Sequence, residues 1–128
     1  MKSFEIGSLI LRVYLGLAFF IHGFAKYQGG VENTAGWFES MGIPGFMAYM
    51  VTAIEIVGGL LLIAGLGTRY ITPLFFIIMI VVILKVKLSE GFSAYELDIT
   101  YAAIALFLFL NSKSSFSLDA KLTNKKAA

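Results

Sequence analysis

Two ionisable residues interrupt long apolar runs of this sequence, and they are the first candidates for chemistry. Arg12 lies about two turns into the first run and Glu55 near the middle of the second. A charged side chain near the centre of a bilayer costs about 2.5–3.5 kcal/mol to insert, so each needs a partner or a purpose. At 1.5 Å per residue the two reach similar depths, and we predict that they pair. The pair is either a strut that fixes helix register or a strut that also borders a polar site.

A second group of polar residues lies at the ends of the apolar runs on the side opposite the chain termini. His22 carries the side chain that changes charge near neutral pH. Residues two apart on a helix point to opposite sides, so one of Lys85 and Lys87 and one of Glu96 and Asp98 should face inward. The predicted pocket is lined by His22, Lys26, Lys85 and a carboxylate (Glu96 or Asp98), with aromatic walls from Tyr14, Phe19, Phe20, Tyr95 and Tyr101. The alternative is that these side chains only anchor the helices at the interface.

The elements that position these side chains follow from composition. Of the 128 residues, 59% are hydrophobic and 14% charged, and the mean hydropathy is +0.86. Soluble domains have about 25% charged residues, so the excess apolar surface indicates a membrane protein. A spanning helix needs about 20 apolar residues. We therefore predict an all-α, integral membrane four-helix bundle, a single domain over 1–128, with up-down-up-down spans at about 6–24, 46–66, 70–88 and 95–110 and a long loop over 25–45.

Glycines on two of the predicted spans indicate where the helices touch. Gly16 and Gly23 fall on the Arg12 face of the first span, and Gly58 and Gly59 share a face with Glu55. Membrane helices associate through close backbone approach at small residues. These faces are therefore predicted to form the contact between the first two spans.

The distribution of basic residues predicts the topology. Four spans place both termini on one side, and Lys or Arg residues are enriched in cytoplasmic segments. Three lysines fall on the far side (Lys26, Lys85 and Lys87), whereas six basic residues fall on the side of the termini: Lys2, Arg69, Lys113, Lys121, Lys125 and Lys126. Both termini are therefore predicted to be cytoplasmic.

The composition also excludes several kinds of chemistry. The sequence has no cysteine, which removes disulfides, thiol relays, iron–sulfur clusters and thiolate zinc sites. Its single histidine cannot supply two haem ligands or a multi-histidine metal site from one chain. We expect no haem, no iron–sulfur cluster and no metal. The small net charge of +2 argues against a nucleic-acid partner.

An ordered set of residues over nearly the whole chain resembles the DoxX family of small four-span bacterial membrane proteins. The matching positions are Leu11-Arg12, Gly16, His22-Gly23, Lys26, Gly42-Ile43-Pro44, Glu55, Gly58-Gly59, Gly65-Leu66-Gly67-Thr68-Arg69, Tyr95-Glu96 and Ser117-Leu118-Asp119. The resemblance implies a multi-pass protein of the bacterial plasma membrane. Many members have a histidine at the end of the third span, where this chain has Lys85-Val86-Lys87, so a two-histidine mechanism is not carried over.

The resemblance also implies a link to quinone-coupled electron transfer, because the family is named after a subunit of an archaeal thiosulfate:quinone oxidoreductase. Bacterial relatives are associated with quinone and catechol resistance or with membrane oxidoreductase complexes. We expect a quinone-interacting subunit or accessory of such a system, with a quinone as cofactor and electrons from a soluble or membrane redox partner. Two alternatives stay open: a small-molecule carrier, and a non-catalytic scaffold that recruits a soluble enzyme through Arg69 and Asp119. A homo-oligomer is expected.

Overall fold

The computed structural model describes residues 2–112 and Leu122, and in this part of the chain almost every residue is helical and none forms a strand. The helices are α1 (Lys2–Gly29), α2 (Val31–Ser40), α3 (Phe46–Ala64), α4 (Thr68–Val82) and α5 (Phe92–Leu110). A π-helical turn over Ile83–Lys87 and a 3₁₀ turn over Leu88–Glu90 extend α4. Within the described part of the chain, four segments are long and apolar enough to cross a membrane: Ser3–Gly29, Phe46–Ala64, Thr68–Glu90 and Phe92–Leu110. The predicted all-α fold with four spans is confirmed.

Close backbone contact joins α1 to α3, as the glycine pattern predicted. A Cβ added to Gly16 would lie 2.7 Å from the carbonyl oxygen of Gly59, and one added to Gly59 would lie 2.6 Å from that of Gly16. Real side chains do not pack at such distances, so only glycine allows this helix crossing. Gly58 does not join this contact, because it faces the ring of Phe75 on α4.

The bundle consists of two helical hairpins. α1 packs most extensively against α3, and α4 against α5, whereas contacts between the two hairpins are fewer. At the seam, Phe19 of α1 stacks on Phe75 of α4 with ring centroids 3.9 Å apart. Large apolar side chains elsewhere on the helices stay exposed, as expected for surfaces that face lipid.

The segment predicted to be a long loop contains a helix. α1 continues to Gly29, and after the left-handed Gly30 (φ 92°) α2 occupies Val31–Ser40. Glu32 in its first turn favours the helix through the dipole at the N-terminus. Gly42 (φ 80°) then turns the chain back toward α3. None of the residues of α2 is buried, and this helix packs against α3 and α1.

Candidate functional site

A buried ion pair joins the first two spans. Lys26 Nζ donates a hydrogen bond to Glu55 Oε1 at 2.5 Å. The Glu55 side chain is 2% exposed and that of Lys26 is 30% exposed. Gly23 permits this geometry, because a Cβ there would lie only 2.8 Å from Cβ of Glu55. The lysine therefore neutralises a carboxylate that α1 and α3 enclose.

The predicted pair between Arg12 and Glu55 is wrong. Arg12 is buried, and its Nε donates a hydrogen bond of 2.9 Å to the carbonyl oxygen of Leu62. Leu62 lies seven residues beyond Glu55, which is about 10 Å along the helix. The last carbonyls of a helix accept hydrogen bonds and attract positive charge, so the C-terminal end of α3 holds this guanidinium at a different depth from the carboxylate.

A second ion pair joins the last two spans. Lys87 Nζ lies 2.8 Å from Oδ2 of Asp98, whose side chain is 10% exposed. Lys85 and Glu96 are exposed and do not line the pocket described below, so the prediction that Lys85 lines the site is wrong and Asp98 is the carboxylate that faces inward. The sequence held no signal for this choice, because Lys87 ends a π-helical turn, Ile83–Lys87, that changes the phase of the helix.

The two ion pairs border one pocket at the end of the bundle away from the termini. Its volume is about 340 Å³, and its polar lining comprises His22, Lys26, Glu55, Lys87 and Asp98. The rest of the lining is apolar and includes Trp37, Phe38, Met41, Met47, Val51 and Val82. α2 thus covers a mostly apolar chamber that contains two lysines, two carboxylates and an imidazole.

The predicted aromatic walls are wrong. Tyr14, Phe19, Phe20, Tyr95 and Tyr101 do not line the pocket. Phe19 is buried against Phe75, and Tyr95 packs against Phe92. The aromatic wall comes instead from Trp37 and Phe38 of α2. The adjacent aromatic residues Trp37 and Phe38 were the signal that could have indicated it.

His22 lines two openings. It is exposed on α1 and contributes to the pocket described above and to a shallower groove between α1 and α5. Its ring meets that of Tyr101 edge-on, with centroids 6.1 Å apart. The imidazole therefore lies where the pocket and the groove adjoin.

One predicted candidate belongs to the other end of the bundle. Arg69 is exposed at the start of α4 and does not line the pocket. Asp119 lies outside the described residues. Among the described residues, no group of three or more His, Cys, Asp or Glu side chains is placed to hold a metal ion.

Comparisons with known proteins place this geometry in context. The family model of DoxX matches residues 7–88. A protein of Bacillus subtilis (strain 168) named "Putative oxidoreductase CatD" is 44% identical over 119 residues, covering 92% of this chain and 88% of its own. The "Inner membrane protein YqjF" of Escherichia coli (strain K12) is 31% identical over 132 residues, covering 98% and 99%. An "Uncharacterized membrane protein Rv3486" of Mycobacterium tuberculosis is 29% identical over 136 residues, covering 94% and 83%. No solved structure is significantly similar.

Proposed function

The chain belongs to the DoxX family of membrane proteins, and from that premise we propose that it binds a quinone as a subunit or accessory of a membrane oxidoreductase system. The observation that carries the proposal is the mostly apolar pocket of about 340 Å³ whose lining contains an ion pair from each hairpin and His22. The name of the Bacillus subtilis relative contains the word oxidoreductase, which supports a redox role.

The residues of the pocket suit a quinone ring. Pockets for small molecules measure about 300–1,000 Å³ and combine apolar walls with a few polar groups. Trp37 and Phe38 offer flat surfaces for the ring, and Lys26, Lys87 and His22 offer hydrogen-bond donors for its two carbonyl oxygens. Glu55 and Asp98 are the carboxylates beside those donors that can accept or release protons.

Electrons have to come from outside this chain. The sequence contains no cysteine and a single histidine, so it supplies neither thiol chemistry nor the ligands of an iron–sulfur cluster. A bound quinone supplies the two-electron chemistry that these side chains lack. The residues of this chain bind and orient the ring, exclude water and hold protons near its oxygens, while a redox partner or a reduced substrate provides the electrons.

Trp37 makes the proposal measurable, because it is the single tryptophan of the sequence and it lines the pocket. The purified protein in lipid nanodiscs is titrated with 2,3-dimethyl-1,4-naphthoquinone while tryptophan fluorescence is recorded. Binding in the pocket quenches Trp37 along a saturable curve, whereas a quinone that only dissolves in the lipid gives a linear decrease.

Matched variants distinguish a specific binding site from a general effect of charge. Lys87→Met and Asp98→Asn are expected to weaken saturable binding about tenfold, since each removes a charge whose hydrogen bonds are worth roughly 1.5 kcal/mol. Lys85→Met and Glu96→Gln make the same charge changes two residues away on exposed faces and should leave the Kd unchanged. A linear titration in the wild type, or equal effects of all four variants, would overturn the proposal.

A further inference from the structure

A lipid-facing groove between α1 and α5 adjoins the pocket. It measures about 240 Å³ and is lined by Tyr14, Leu17, Ala18, Ile21 and His22 of α1 and by Tyr101 of α5. α1 contacts α5 far less extensively than it contacts α3, and the small side chain of Ala18 forms part of the groove floor. His22 lines both the groove and the pocket, so the two spaces are neighbours.

The groove connects two depths of the membrane. Tyr14 lies near the middle of the span Ser3–Gly29, and His22 lies eight residues nearer the pocket end. At 1.5 Å per residue this separation is about 12 Å along α1. The groove therefore runs from the region of the acyl chains near the bilayer centre to the imidazole at the edge of the polar chamber.

A lipid-soluble quinone has two parts that need these two environments. Its ring carries carbonyl oxygens that require donors, and in this chain the donors lie at the pocket end. Its isoprenoid tail carries no hydrogen-bonding group and belongs at acyl-chain depth, where polar partners are absent. A ligand whose ring occupies the pocket must therefore pass its tail toward the bilayer centre, and the groove beside His22 follows that direction.

We propose that the groove between α1 and α5 holds the isoprenoid tail of the quinone whose ring occupies the pocket. This inference rests on the proposed function and adds to it a substrate class: a quinone with a long apolar tail that reaches the site from within the bilayer. Leu17, Ala18 and Ile21 contact the tail and set the preference for it. His22 is then the position at which ring and tail meet.

Two analogues with the same ring system test the inference. Menaquinone-4 has an isoprenoid tail, and 2,3-dimethyl-1,4-naphthoquinone has none. The Kd of each is measured by quenching of Trp37 in nanodiscs of one lipid composition. The Kd of the tailless analogue divided by the Kd of menaquinone-4 reports the contribution of the tail. Because partitioning into the lipid is the same for every variant, it cancels when these ratios are compared.

Filling the groove should remove the preference for the tail. Ala18→Phe and Ile21→Phe are expected to reduce the ratio about fivefold, since the contacts along a tail are individually small but add up. The Kd of the tailless analogue should stay unchanged. Ala103→Phe and Leu60→Phe place the same bulk on exposed positions elsewhere in the spans and serve as matched controls. Two groove positions are used because Ala18 also packs against the core, whereas Ile21 is exposed.

Each result decides a different question. If both analogues bind and neither groove variant changes the ratio more than its control, the tail does not lie in the groove, and the proposed function stands without it. If the groove variants weaken both analogues equally, the groove holds the ring and the inference is wrong. If neither analogue binds the wild type, the proposed function fails and the inference fails with it.

Discussion

Glu55 and Asp98 are the buried carboxylates among the described residues, and each has a lysine from the neighbouring span beside it. The two partners of a pair are not equivalent. Lys26 keeps 30% of its side chain exposed, whereas Glu55 keeps 2%. Loss of the lysine leaves a carboxylate enclosed without compensation, while loss of the carboxylate leaves an ammonium group that can turn toward the interface.

This asymmetry predicts the stability of single variants. Lys26→Met is expected to lower the free energy of unfolding by about 2 kcal/mol, less than for a fully buried pair because the lysine is partly exposed. Glu55→Gln should lower the free energy of unfolding by about half as much, since it removes the buried charge that needs compensation. The double variant should recover part of the loss caused by Lys26→Met. Unfolding by SDS, followed by circular dichroism, measures all three, and a smaller loss for Lys26→Met than for Glu55→Gln would contradict this account.

The four spans could be predicted from the sequence, but the contacts of individual side chains could be predicted only in part. Hydropathy averages over many positions, so the four spans were predictable. The hydrogen bond from Arg12 to Leu62 was not, because a backbone carbonyl oxygen has no signature in the sequence. Whether Lys85 or Lys87 faces the inside of the bundle depends on the phase of the helix at the π-helical turn. The rule that residues two apart point to opposite sides does not decide between them.

At the scale of the elements, the crossing of α1 and α3 depends on glycines that have different surroundings. Gly16 touches the backbone of α3, whereas a Cβ added to Gly7 on the same helix would meet nothing within 4 Å. The contact through Gly16 brings Lys26 and Glu55 within reach of each other farther along the same two helices. A change at the crossing should therefore affect both stability and the pocket.

Gly16→Ala is predicted to destabilise the protein by about 2 kcal/mol, because the new methyl group forces two backbones apart. Gly7→Ala is the control, and it should leave stability unchanged or raise it by less than about 1 kcal/mol through helix propensity. Thermal unfolding in detergent micelles compares the two. Equal midpoints for both variants would mean that the α1 and α3 crossing does not depend on close approach at Gly16.

α2 is the helix with the fewest structural restraints around the pocket. It buries none of its residues, and glycines with positive φ, Gly30 and Gly42, flank it. Trp37 and Phe38 nevertheless line the pocket. Local opening is easiest where few contacts are lost, so α2 can separate from the pocket without unfolding of the spans.

Hydrogen exchange measured by mass spectrometry should therefore distinguish α2 from the spans. Peptides that cover 31–40 are predicted to exchange at least about tenfold faster than peptides within α3, because α2 opens at lower free energy. A saturating naphthoquinone should slow exchange in α2 by closing it over the ligand. Exchange in α2 as slow as in α3 would show that α2 is a fixed wall of the pocket.

At the scale of the whole molecule, the topology is predicted from the distribution of basic residues. Three lysines, Lys26, Lys85 and Lys87, belong to the pocket end, against six basic residues on the side of the termini. Acidic residues have little influence on membrane orientation, so the pairing of Lys26 and Lys87 with carboxylates leaves the prediction of cytoplasmic termini unchanged.

Fusions to the C-terminus test the topology. A green fluorescent protein fusion is expected to fluoresce, and an alkaline phosphatase fusion is expected to be inactive, because the phosphatase needs export to fold. Fusions within the segment between α2 and α3 should give the opposite pattern. An active phosphatase at the C-terminus would reverse the assigned orientation and place the pocket toward the cytoplasm.

The division of the bundle into two hairpins has a consequence for biosynthesis. Each buried carboxylate has its lysine within its own hairpin: Lys26 with Glu55 in the first, and Lys87 with Asp98 in the second. The Lys26–Glu55 pair of the first hairpin can therefore form before the ribosome has made the second. Neither of these carboxylates has to wait in lipid without its lysine, and an isolated charge there would cost about 2.5–3.5 kcal/mol.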